Sequence, residues 1–257
     1  MLGVVILAAG QGTRMRSPLP KVLHEAAGKP LLTHVLAAVA PLEPDHTVVI
    51  VGHAAAAVEA QFKDYRLNGR PISFVRQDFS RGYGTGRALK QAEAVFAEFE
   101  GNIMVLSGDV PLVRTETLRT LVRTQAAQND GMTFLTCVMR NPHGMGRIIR
   151  EDDGNVARIV EEKDLAAEEK AVREINPALY VFDRHVFELA AELKNDNAAG
   201  EYYITDLVDL YLRAHYPVQT VLGEDETEIL GVNDQEQLAQ VDRLLRARGS
   251  GENRQDS

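Results

Sequence analysis

Gly3-Val4-Val5-Ile6-Leu7-Ala8-Ala9-Gly10-Gln11-Gly12-Thr13-Arg14-Met15 opens the chain and decides its architecture. Val4 to Leu7 is an unbroken apolar run without polar alternation, the pattern of a strand covered on both faces. It leaves into a turn where Gly10 and Gly12 let the backbone come close to a ligand and present its amide N–H groups. Arg14, Arg16 and Lys21 follow, and the first acidic residue is Glu25. The spacing fits neither common nucleotide loop. A dinucleotide-binding loop needs a third glycine where Met15 stands, and a P-loop needs Gly-Lys-Ser/Thr after four residues. The stretch reads as another kind of phosphate cradle, in preference to a bare turn carrying a solvated arginine.

Working outward, short β-branched runs alternate with helical stretches, the signature of a doubly wound α/β sheet that is mainly parallel. Strands are expected at Gly3 to Leu7, Thr47 to Val51, Ile72 to Val75 and Asn102 to Leu106. Helices are expected near Pro30 to Ala40, Ala54 to Phe62 and Gly86 to Phe99. Beyond Pro111 the rhythm changes. Met132 to Met139, Arg147 to Arg150 and Val156 to Glu161 lie close together, with turn signals at Asn141-Pro142 and Asp153-Gly154, and read as an added, partly antiparallel subregion. One strand is expected over Ile175 to Phe182, helices near Arg184 to Leu193 and Tyr202 to Ala214, a strand over Val218 to Leu222, and a last helix over Asp234 to Arg248. Residues 249–257 read as a polar tail. The expected organisation is one domain over 1–248, with a nucleotide-binding part over about 1–112 and a sugar-binding part over about 113–232.

Composition narrows the function classes. The 257 residues carry 45% apolar and 25% charged side chains, close to an ordinary globule. A formal charge of −9 argues against general nucleic-acid binding, which needs a basic face. The positive first loop therefore reads as local anion binding. No apolar run reaches the roughly 20 residues that span a bilayer, so no membrane partner is expected. The one cysteine, Cys137, reads as a core thiol in a reducing compartment, and cytoplasm is expected. The seven histidines show no zinc spacing.

Leu7 to Met15 followed by Leu19-Pro20-Lys21-Val22-Leu23 resembles the opening of the sugar nucleotidyltransferases. Seven further motifs keep that resemblance in order to about Leu245: Gly84-Thr85-Gly86, Gly108 to Leu112, Gly144 to Ile148, Ile159 to Asp164, Glu174 to Asn176, Gly200 to Asp206, and Gly231-Val232-Asn233. The pattern is most similar to the uridylyltransferase half of the bifunctional N-acetylglucosamine-1-phosphate uridylyltransferase/glucosamine-1-phosphate acetyltransferases. This implies the nucleotide-diphospho-sugar transferase fold. It also implies UTP and a sugar 1-phosphate as substrates, and Mg²⁺ as cofactor. Alternatives from the same residues are another base or sugar 1-phosphate, or a nucleotide-sugar binding module without turnover. Oligomeric state is left open. Arg246 to Ser257 shows no apolar repeat of period six, so no acetyl transfer is expected from this sequence.

The resemblance assigns the site. Arg14, Lys21 and Asp109 are the expected catalytic residues, and Leu7, Ala8, Ala9, Gly10, Gly12, Thr13, Gln77, Gly84 and Thr85 the expected nucleotide-binding ones. Asp109 ends a strand, where open sheets place ligand chemistry. A carboxylate there suits a hard cation, with Asn233 as the implied second metal ligand. Asn233 alone would equally read as a helix cap. Gly146, Glu161, Asn176, Tyr203 and Thr205 are implied for the sugar. Four departures stand out: Gln77 to Gly84 is about two residues longer than usual, with an extra Gly82-Tyr83. Arg87 replaces a common histidine, Ser107 a frequent tyrosine, and Pro177-Ala178 the usual threonine and glycine.

Overall fold

Val4, Val5 and Ile6 have no exposed surface, as an unbroken apolar strand requires. They belong to β1 (Leu2–Ala8), inside a ten-stranded sheet. The computed structural model describes residues 1–128 and 130–252, with side chains through 249. A small hairpin, β2 (Glu25–Ala26) and β3 (Lys29–Pro30), leads to α1 (Leu31–Val39). Then come β4 (His46–Val51), α2 (Ala55–Phe62), the hairpin β5 (Arg66–Leu67) and β6 (Arg70–Pro71), β7 (Ser73–Arg76), α3 (Thr85–Lys90) and β8 (Asn102–Ser107). Strands β7, β4, β1 and β8 lie side by side and parallel.

This order positions the site. The chain builds outward from β1 through β4 to β7, then returns to lay β8 on the other edge of β1. That reversal opens a crevice at the carboxyl ends of β1 and β8, where open α/β sheets bind ligands. Gly108 N–H donates to the Leu7 carbonyl at 2.9 Å, carrying the pairing to the mouth of the crevice.

The second half adds α4 (Thr115–Ala126), β9 (Met132–Val138), β10 (Gly146–Arg150), β11 (Val156–Val160), β12 (Glu174–Asn176) and β13 (Tyr180–Phe182). Next come α5 (Val186–Ala191), α6 (Leu207–Arg213), β14 (Val218–Gly223) and α7 (Gln235–Glu252). β13 runs antiparallel between β8 and β9, β14 runs parallel to β9, and the β10–β11 hairpin hangs on β12. The result is the doubly wound, mainly parallel sheet with an antiparallel addition that the sequence pattern implies.

Five elements differ from expectation. The helix expected near Tyr202 to Ala214 is a 3₁₀ turn at Ile204–Asp206 followed by α6, because Tyr203 is still extended. α3 ends at Lys90 rather than Phe99, and a 3₁₀ turn at Glu93–Val95 follows. The tighter turn brings Phe96 and Phe99 against His46, and Phe96 onto Phe187. α4 falls in a stretch where no element was expected, although Leu118, Leu121 and Gln125 mark its buried stripe at helical spacing. The expected strand over Ile175 to Phe182 is two strands, because Pro177 offers no ladder N–H and Ala178 takes a left-handed φ of 59°. α7 runs past residue 249 to Glu252, and the remainder of the expected tail lies outside the described residues.

Alternation along β1 divides the core. Val4 and Ile6 pack toward Leu32, Val35 and Leu36 of α1, while Val5 packs toward Ala88 and Leu89 of α3. Each such fully buried side chain contributes roughly 1.5–3 kcal/mol. Among the described residues no helix is long and apolar enough to cross a membrane.

Candidate active site

A cavity of about 450 Å³ opens over the crevice. Leu7, Ala8, Ala9, Gly10, Gly12, Thr13, Arg14 and Lys21 line it from the first loop. Gln77, Gly84 and Thr85 come from the loop after β7, Asp109 from the end of β8, and Asn233 from just before α7. Every residue expected to hold nucleotide or metal thus faces one space.

The first loop is shaped by its glycines and one plug. Gly12 sits at φ 61°, and a Cβ there would stand 3.1 Å from Lys21 Cβ, so both backbone and space call for glycine. At Gly10 no protein atom lies within 4 Å of a Cβ position, so the room is open on the cavity side. Met15, 1% exposed, anchors the loop among Ala26, Leu31, Leu112, Val232 and Val241. Truncating such a plug costs about 2–5 kcal/mol.

At the centre, the Lys21 ammonium pairs with the Asp109 carboxylate and donates to Asn233 Oδ1 at 3.1 Å. Asp234 accepts from Gln237 N–H at 2.8 Å at the start of α7, so the capping contact belongs to Asp234, and the Asn233 amide turns to Lys21. One cation already gathers both oxygens. A carboxylate and an amide oxygen side by side fit Mg²⁺, which takes one or two carboxylates and fills its shell with phosphate oxygens and water.

At one end of the cavity Gln77 is 9% exposed. Its backbone N–H donates to Val51 O at 2.8 Å, and its side-chain amide makes no hydrogen bond among the described residues. A buried, unspent amide facing a cavity is suited to a ligand edge. Gly84, at φ 117°, lies so close to Tyr202 that a Cβ would fall 2.3 Å from its carbonyl oxygen. Thr85 Oγ1 accepts from Ile204 N–H at 3.0 Å, tying α3 to the Tyr203–Thr205 segment. Arg87 stacks its guanidinium 4.0 Å over the Tyr202 ring, which gives that departure a packing reason.

The sugar set gathers elsewhere. Gly146 and Asn176 pair across β10 and β12. Thr205 Oγ1 donates to Glu161 Oε1 at 3.0 Å, and Asn176 donates to the Tyr180 hydroxyl at 2.5 Å. Glu161 and Tyr203 line a second cavity of about 380 Å³, together with Asp164, Asp196, Asp206 and Asp209. Gly146, Asn176 and Thr205 are not among the lining residues of either cavity; Gly146 and Thr205 adjoin Glu161, a Gly146 Cβ position lying 3.5 Å from its carboxyl. Glu201 lines the first cavity and Tyr203 the second, so the two spaces lie two residues apart along the chain. Burial, and after it Asp164 and Glu201, push the Glu161 carboxyl upward against the Thr205 hydrogen bond. Burial and neighbouring carboxylates hold Asp206 up to about 6 and the Tyr203 phenol up to about 12.

Sequence reasoning missed Gln11, Val22, Phe79, Tyr83, Ser107 and Glu201, all of which line the first cavity. Tyr83 and Ser107 were legible as departures from the family pattern. Gln11 sat inside the quoted loop, and Phe79 carried no signal of its own.

A family model described as the MobA-like NTP transferase domain matches residues 4–209. The chain belongs to that family. Such enzymes generally use a divalent metal. The transferase is 44% identical over 245 residues to the "Bifunctional protein GlmU" of Streptococcus suis (strain 98HAH33), covering 95% of this chain and 52% of that relative. It is also 44% identical over 248 residues to the protein of the same name from Syntrophotalea carbinolica, covering 96% and 52%. The chain spans about half the length of the curated relatives it matches. A Bacillus anthracis protein solved under the name glucose-1-phosphate thymidylyltransferase superposes with a TM-score of 0.77 over 96% of each chain at 21% identity, which shows a shared fold.

Proposed function

We propose that this transferase moves a uridylyl group from UTP to N-acetylglucosamine 1-phosphate, giving UDP-N-acetylglucosamine and pyrophosphate. The observation that carries the reading is the convergence of Lys21, Asp109 and Asn233 on one cavity floored by the glycine loop. The choice of uridine and of the sugar rests on the motif resemblance and on the 44% identity to proteins named GlmU. Within the domain over 1–248, residues 1–112 would hold the nucleotide and 113–232 the sugar. The cytoplasm is the proposed place of action.

The acceptor phosphate is ionised near neutral pH, since second phosphate pKa values sit at about 6. It therefore needs no general base. The difficulty is bringing one anion in line with the α-phosphorus of another, which makes catalysis a matter of positioning and charge neutralisation. The loop amides at Gly10 and Gly12 and the Arg14 guanidinium receive the triphosphate. Lys21 neutralises the reacting phosphates. Gln77 and Gly84 read the base, while Glu161, Asn176, Tyr203 and Thr205 with Gly146 hold the sugar. Asp109 and Asn233 would hold Mg²⁺, which supplies further neutralisation of phosphate charge.

A panel of four nucleoside triphosphates against several hexose 1-phosphates, read by pyrophosphate release, tests the reading. Release should be fastest for UTP with N-acetylglucosamine 1-phosphate. Faster release with another pair would transfer the assignment to that pair.

A further inference from the structure

Three aromatic rings from two loops meet at the rim of the first cavity. Phe79 lies flat on His53, with centroids 4.3 Å apart and planes 7° apart, and stacks on Tyr83 at 4.8 Å and 27°. The Tyr83 hydroxyl lies 2.9 Å from His53 Nε2 and accepts from Gln11 Nε2 at 3.0 Å. The glycine loop, the loop after β4 and the loop after β7 are thereby joined across one end of the cavity. Phe79 and Tyr83 both line it, beside Gln77 and Gly84.

The base of this arrangement is fixed. Tyr202 N–H donates to the Tyr83 carbonyl at 2.8 Å, and Gly86 N–H donates to the Tyr202 carbonyl at 2.8 Å. Gly82, at φ 108°, lies so near the Tyr202 ring that a Cβ would fall 2.6 Å from it. Tyr83 as a residue is 42% exposed. An aromatic side chain pinned at its backbone, tied at its hydroxyl and left open at the rim of a cavity has lost its freedom in advance. A flat ligand that packs on it would meet little further ordering cost.

We propose that Phe79 and Tyr83 form an aromatic wall against which the nucleobase of the bound triphosphate packs, while the Gln77 amide meets the edge of the same base. The proposal rests on the nucleotidyl-transfer reading of this cavity and adds the residues that contact the face of the base. Stacking of this kind tolerates any base, because every base offers a π-face. The wall therefore supplies affinity, and Gln77 supplies discrimination.

The chain contains no tryptophan, so Tyr83→Trp places a single reporter at the wall. Its fluorescence should be quenched by UTP and left unchanged by inorganic tripolyphosphate, which lacks a base. Calorimetry with Mg²⁺ should show Tyr83→Ala weakening UTP by about tenfold or more, with tripolyphosphate binding within about twofold of the parent protein. Tyr83→Phe, which keeps the ring, should recover most of the UTP affinity. Equal weakening of UTP and tripolyphosphate would make Tyr83 a brace for the glycine loop and overturn the proposal. So would UTP affinity undiminished in Tyr83→Ala, or a rise confined to the KM of the sugar phosphate. Failure of the parent protein to bind any nucleoside triphosphate would instead sink the nucleotidyl-transfer reading, and this proposal with it.

Discussion

The two cavities are built on opposite principles. In the first, Gly12 in its left-handed turn and Gln77 with an unspent amide are held by backbone and face open space, and the central polar cluster is built on a cation, Lys21, between Asp109 and Asn233. Around the second, the groups satisfy one another. Thr205 donates to Glu161, Asn176 donates to Tyr180, and burial with crowded carboxylates lifts Glu161 and Asp206 above the usual carboxylate range. The contrast follows from the ligands proposed. A triphosphate brings charge that fixed donors must meet, whereas a sugar brings hydroxyls that exchange with hydrogen bonds already made.

If the first cavity does the charge work, removing its anion should hurt most. Asp109→Ala is expected to lower kcat by about 10³-fold under saturating Mg²⁺, the upper end for one preorganised charge-stabilising group. Pyrophosphate release by the folded variant measures this, and near-parent rates would dissolve the metal assignment. Lys21→Ala should follow, lowering kcat about 10²-fold while UTP affinity falls less. A change below about threefold in kcat would pass the anion role to Arg14.

The second region should respond more mildly and to a different substrate. Glu161→Ala is expected to raise KM for the sugar phosphate about tenfold, the scale of losing one hydrogen bond to a polar ligand. UTP affinity should stay near that of the parent. Calorimetric titration of each substrate separates the two, and equal weakening of both would merge the regions that the structure keeps apart.

The smallest effect concerns pH. The folded Asp206 titrates near 6, above its ordinary 3.8, with burial as the first cause and Glu161, Asp196, Asp209 and Asp164 after it. The folded state therefore holds this proton longer than the unfolded chain. Stability from this group is present below the ordinary value and is lost as pH rises through 6. Asp206→Asn should raise Tm above neutral pH, and the gain should shrink as pH falls toward about 4. An unchanged Tm difference across that window would place the strain elsewhere.

Legibility followed the same division. The first strand and loop could be read because an apolar run, two glycines and three cations before Glu25 admit few other meanings. The parallel core could be read for the same reason, its strands being continuous and its helices periodic. The break at Pro177-Ala178 was visible as residues, yet its consequence, splitting one strand to feed two neighbours, depends on pairing partners far along the chain. α4 was missed although Leu118, Leu121 and Gln125 are spaced for it, because polar residues outnumber apolar ones across its length. Tyr83 showed only as an oddity, since the partners that give it meaning, Gln11 and His53, are distant in sequence. Glu161 was placed by resemblance alone, and no local pattern announces that Thr205 donates to it.

³¹P NMR of the protein incubated with UTP, N-acetylglucosamine 1-phosphate and Mg²⁺ tests the central claim most directly. Attack at the α-phosphorus predicts a sugar nucleotide diphosphate and free pyrophosphate appearing in equal amounts, each dependent on both substrates. UTP converted to UDP and inorganic phosphate, or left intact beside a folded, UTP-binding protein, would contradict it.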